Sequence, residues 1–143
     1  MDDEGSAALE FIAVGVILLV PLVYLIIVLG SIQEQTLGVE AAARHTARVV
    51  ALAPDAETAA ARSDRVLASV VEEYGIDEGT LEVSMECPRE GGECPRAGST
   101  IVLTITARVS LPLVPAVFGL QDATSITVQG SAVQKVSRTW GMG

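Results

Sequence analysis

No lysine or arginine precedes Arg44, and the whole chain holds one lysine, Lys135, beside eight arginines. The formal net charge is −9. Without a basic cluster to neutralise phosphates, a nucleic-acid partner is excluded. The same lack removes the usual guide to membrane topology, a Lys/Arg bias in the short flanking loops. Histidine is reduced to His45, between Arg44 and Thr46, with no nucleophile and acidic orienter beside it. The glycines show no phosphate-binding spacing. The acidic run Glu72, Glu73, Asp77 and Glu78 lacks the D-x-D-x-D-G order of a calcium loop. No catalytic residue, metal, cofactor or small-molecule substrate is therefore expected, and the chain reads as a non-enzyme. Internal repeats and low-complexity tracts are also missing.

Cysteine is scarce. Cys87 and Cys94 bracket the stretch CPREGGEC, at the end of one predicted strand and shortly before the next. One reading is a metal or redox pair, but a structural zinc site wants four ligands, usually in C-x₂₋₄-C units. The simpler reading is a disulfide closing a surface loop, with Gly91-Gly92 permitting the turn. Such a bridge contributes about 2–3 kcal/mol through loop closure. It also implies an oxidising, extracytoplasmic compartment.

Apolar residues, by contrast, make up half of the 143 positions, and mean hydropathy is +0.47. The excess is concentrated in FIAVGVILLVPLVYLIIVL, Phe11 to Leu29, 19 residues without a charge. At about 1.5 Å per residue this helix covers roughly the 30 Å hydrocarbon core of a bilayer. A core helix of that length would show a polar face, and this one shows none. It reads as a single transmembrane helix. A removed secretory signal fits less well, because the prefix Asp2-Asp3-Glu4 is acidic, the run is long, and Ile32-Gln33-Glu34 offers no small-residue exit. The expected disulfide supplies the orientation: globular part outside, N-terminus inside.

Beyond the apolar run the period stays helical. Val39, Ala42, Ala43, Thr46, Val49, Val50 and Ala53 follow i, i+3, i+4, i+7 spacing. One long helix is expected, with its first half in lipid and its second in water, closed by Pro54. A second helix is predicted over Asp55–Tyr74, with Val66, Leu67, Val70, Val71 and Tyr74 on its apolar face and Gly75 as its stop. The period then becomes two. Strands are predicted over Thr80–Cys87 (Leu81, Val83, Met85, Cys87 inward), Thr100–Ser110 (Ile101, Leu103, Ile105, Ala107, Val109 inward) and Thr124–Val136, whose alternation weakens at Gly130. The fold class is α+β, a long N-terminal helix and a second helix followed by a three-stranded antiparallel sheet. Between the last two strands, LPLVPAVFGL (Leu111–Leu120) carries Pro112 and Pro115 and is no central strand. It reads either as a connection tucked under the sheet or as an interaction patch. In the second case Leu113, Val117 and Phe118 are exposed to a partner or to lipid.

The N-terminal stretch carries one more pattern. A short hydrophilic prefix ends at Gly5, then Ser6-Ala7-Ala8-Leu9-Glu10-Phe11 leads into the apolar helix. This resembles the class III signal of type IV pilins and pseudopilins, and among them most nearly the TadE-like minor pilins of Tad/Flp pilus systems. The match is strongest over residues 5–50. The resemblance implies that a prepilin peptidase cuts after Gly5 on the cytoplasmic side, leaving Ser6 with a free amine. Glu10 stands at the family's acid position, where it would pair with that amine in a neighbouring subunit or its own, with Phe11 beside it. Pro21 falls inside the apolar helix, removes one backbone hydrogen bond, and is expected to kink or loosen it. The acidic prefix departs from the basic leaders common in the family, and the Cys87–Cys94 loop is not a family requirement.

The resulting expectation is a leader over 1–5, a transmembrane helix over 6–32 and an extracytoplasmic helix-and-sheet domain over 33–143. Partners would be the peptidase, other pilins, pilus inner-membrane assembly proteins and lipid. The location would be the inner membrane, single-pass, with entry into the pilus left open. The rival reading is an uncleaved, membrane-anchored extracytoplasmic binding domain. In that case Glu10 is an incidental acid at a membrane boundary.

Overall fold

The computed structural model describes residues 3–88, 93–110 and 125–142, with side chains from residue 7 onward. Helix α1 runs unbroken over Asp3–Ala51, 49 residues or roughly 74 Å of helix. Helix α2 covers Ala56–Tyr74, and one 3₁₀ turn spans Glu78–Thr80. Strands β1 (Glu82–Glu86), β2 (Thr100–Ser110) and β3 (Ser125–Lys135) form an antiparallel meander in the order β1-β2-β3. This is the α+β architecture expected from the change of period.

Local chemistry sets the boundaries. The Thr58 N–H donates to the Asp55 carboxylate at 2.7 Å, satisfying one orphan donor at the start of α2. That backbone hydrogen bond holds the Asp55 carboxyl below its ordinary pKa. At the other end Gly75 takes the left-handed conformation, φ 60°, and its N–H donates to the Val71 carbonyl. Helix α1 ends three residues before Pro54, where the Ala53 N–H donates to the Val50 carbonyl in a tightened turn.

The core forms where the second half of α1 meets the sheet. Val39, Ala42, Ala43 and Ala47 pack against Leu103, Ile105, Ala107, Val109 and Val128, with Val70 of α2 closing one side. A second cluster joins Val50, Ala51, Ala53, Ala59, Ile101 and Val136, with Trp140 against it. All five inward residues predicted for β2 are buried.

Three expectations need correction. The β3 pattern does not weaken at Gly130, which is buried between Val128 and Ala132 on the inner face. A Cβ there would stand 2.6 Å from the Val39 carbonyl oxygen and 2.7 Å from Glu40 Cα, so glycine lets strand and helix backbones touch. Val49 is only half-buried, because it lies at the margin of the α1 stripe. Lastly, β1 is shorter than predicted and exposed along its length, with Val83 at 44% and Met85 at 37%. Helix α1 underlies β2 and β3, and α2 packs on the flank of α1. The inner face of β1 therefore overhangs without a close layer beneath it.

Candidate membrane and assembly site

Helix geometry places the resembling residues at one tip of α1. Gly5 and Ser6 fall in its first turn, within the helical backbone. Ser6, Glu10, Ala13 and Ile17 follow i, i+4, i+7, i+11 and so share one face. Glu10 and Phe11 are exposed, Phe11 at 80%. Ala7, Ala8 and Ala13 are exposed as well, and Gly15 has no atom within 4 Å of a Cβ position. The helix surface here is open to close approach by another helix.

The apolar stretch stands clear of the domain. From Leu9 to Leu29 its large side chains are exposed on every side, apart from Val28. Leaving each such side chain in water forgoes about 1.5–3 kcal/mol, so water is not the solvent this surface is built for. The chain has one N-terminal helix long and apolar enough to cross a membrane. Pro21 lies inside it without interrupting the helix. Its missing N–H leaves the Ile17 carbonyl without the usual donor, and no break in the helix follows.

At the far end of the molecule, Cys87 and Cys94 form a disulfide with Cα atoms 5.9 Å apart. Both half-buried residues pack against the second core cluster beside Trp140. The bridge ties the end of β1 to the approach to β2, as the spacing predicted. Among the described residues no three His, Cys, Asp or Glu side chains gather into a metal-sized group. His45 is exposed on α1. Leu113, Val117 and Phe118 lie outside the described residues.

Val83 and Met85 are the positions whose surroundings the sequence pattern misassigned: alternation put them in the core, and they line instead an open apolar hollow between α1, α2 and β1. Thr46 is buried, as its helical spacing implied, and also borders this hollow. The Thr46 hydroxyl is buried there and has no hydrogen-bond partner among the described residues.

Compared with known families, characterised proteins and solved structures, the chain matches none. The functional reading therefore rests on the residues alone.

Proposed function

We propose that the chain is a minor pilin or pseudopilin subunit taking part in assembly of a Tad/Flp-type pilus, cut by a prepilin peptidase after Gly5. The observation that supports this reading is the placement of Gly5-Ser6-Ala7-Ala8-Leu9-Glu10-Phe11. It forms the tip of one continuous helix, whose next half is apolar all round and whose last half is the core of the domain. On this reading residues 1–5 are the leader, 6–32 span the inner membrane, and 33–143 lie outside, where the disulfide persists.

The chemistry follows from the charges. An ionised carboxylate at bilayer centre costs about 2.5–3.5 kcal/mol on insertion scales and less near the interface. Glu10, at the cytoplasmic edge, is therefore tolerated in the precursor. Cleavage frees the Ser6 amine, cationic near neutral pH. In a lipid-free helix bundle the Glu10 carboxylate pairs with that amine and fixes axial register, a role buried polar pairs can fill.

Intact-mass measurement and N-terminal sequencing of the membrane-extracted protein test the cleavage. A chain beginning at Ser6 is expected, and Gly5→Trp should leave the precursor whole. A Ser6 start in that variant would refute the peptidase reading. Glu10→Ala should be cleaved yet fail to support piliation, and normal pili would remove the register role.

The second reading, an uncleaved anchored binding domain, draws on the helical backbone across the Gly5–Ser6 bond. Proteolysis acts on opened backbone, so that turn must first unwind. An intact Met1–Gly5 prefix on the mature protein selects this alternative.

A further inference from the structure

The wedge between α2 and β1 holds two hollows of about 330 and 320 Å³, and Val83 lines both. Helix α2 contributes Ala60 to the first and Leu67 to the second, so together they run the length of β1. Among the described residues no strand lies beyond β1, so one edge of its backbone is unpaired. We infer that this wedge is a strand-accepting slot, filled by an extended segment of another polypeptide that is apolar at alternate positions and basic between them.

Three observations converge on that occupant. The register puts Val83 and Met85 on the inner face, opposite Ile105 and Leu103, yet both remain substantially exposed above the hollows. A strand added beside β1 points alternate side chains into this space and satisfies the free backbone groups at the same time. A helix or a small apolar ligand fills the space but leaves the edge bare. On the outer face Glu82 and Glu86 are exposed and make no ion pair with the described residues, and Asp64 and Glu78 line the second hollow. Acids on a short edge strand repel a like-charged edge and admit a basic one.

The slot lies in the domain, remote from the leader, and its test does not depend on cleavage. The full chain in nonionic micelles is titrated with a short labelled peptide alternating valine and lysine, and hydrogen exchange is followed along β1. Binding should slow amide exchange within Glu82–Glu86. The Glu82→Lys/Glu86→Lys double variant should weaken binding about tenfold or more. Met85→Trp, which fills the hollow from within, should weaken it similarly. A peptide alternating valine and glutamate should not bind. No binding of the valine–lysine peptide, or binding that leaves β1 exchange unchanged, overturns the slot. Equal affinity for the glutamate peptide overturns the assignment of a basic partner.

Discussion

Replacing Gly130 by alanine tests the central packing of the domain with a single methyl group. The added Cβ would meet the Val39 carbonyl oxygen at 2.6 Å, Glu40 Cα at 2.7 Å and Glu40 N at 2.8 Å, against an ordinary contact of at least 3.4 Å. All three neighbours are helix backbone, and the strand that carries the methyl is paired with Ile105 of β2. Neither side has a side chain to rotate away, so the sheet must lift from α1. A radial gap of 0.5–1 Å forfeits roughly a quarter to a half of the dispersion well for the atoms that separate. Those atoms belong to Val39, Ile105, Val128 and Ala132, the middle of the main core. Overpacking costs about 1–3 kcal/mol, and an all-backbone clash falls at the upper end. Reduced freedom of the unfolded chain returns about 0.4–1 kcal/mol. The expected net loss is about 2 kcal/mol. Trp140, the single tryptophan, is half-buried against the second cluster and reports unfolding in a urea titration of the full chain in micelles. The midpoint should fall at constant slope, whereas Gly15→Ala, outside the domain, should leave it within about 0.5 kcal/mol. A Gly130→Ala protein as stable as wild type would refute the direct contact of β3 with the α1 backbone.

The same titration distinguishes other contacts. At Gly38 a Cβ would stand 2.6 Å from Tyr74 Cγ and 3.0 Å from Tyr74 Cβ, atoms at the base of that side chain, while alanine is worth about 1 kcal/mol over glycine in a helix. Gly38→Ala should therefore still destabilise, by about 1 kcal/mol, less than Gly130→Ala, whose clash is wholly with backbone. Replacing both Cys87 and Cys94 by serine should remove about 2–3 kcal/mol. A reductant should produce that loss in the wild type and no further loss in the variant. Asp55 provides a pH dependence: its carboxyl is depressed in the folded state, chiefly by the Thr58 backbone hydrogen bond. Its contribution is thus fully present above the unfolded value near pH 4 and is lost as pH falls through the folded value. Asp55→Asn keeps a capping side chain and should flatten that part of the acid-unfolding profile, measured as denaturation midpoints from about pH 5 downward.

What the sequence made legible follows from which signals are local. The ends of α2 depend on residues within a few positions: Gly75 stops the helix where the pattern put it, and Asp55, expected in the first turn, is its N-cap one residue earlier. The β2 alternation is read correctly to the residue because the strand is central, with one face fully covered. The Cys87–Cys94 bridge was legible because a strand end and the next strand's approach converge on it. The failures are tertiary. Alternation in β1 says which face points inward but not that a layer lies beneath it, and α2 packs on α1 instead of reaching Val83 and Met85. Gly130 looked like a lapse in the pattern because hydropathy cannot register backbone contact, the reason glycine stands there. For the tip of α1 the legible part is chemical: an exposed acid one turn from Ser6, below an apolar helix.

The continuity of α1 links these two ends mechanically. From Glu10 to Val39 the chain rises 29 residues in one helix, roughly 44 Å, without a break at Pro21 or Gly30. Val39 is fully buried, and its carbonyl lies against β3 at Gly130. The domain is therefore not tethered to the membrane helix by a loop but built upon it. An axial register set by a charge pair at Glu10 would be carried to the domain with little slack, since a helix transmits displacement where a linker absorbs it. Two or three flexible glycines inserted between Gly30 and Ser31 should leave the domain's urea midpoint within about 0.5 kcal/mol, because the main core cluster and Ile32, which packs against it, lie beyond that point. On the proposed pilin reading, the same insertion should abolish piliation, as Glu10→Ala is expected to. Normal piliation with a flexible joint would show that domain position is set outside the membrane, and the purpose of an unbroken helix would have to be sought in export or insertion instead.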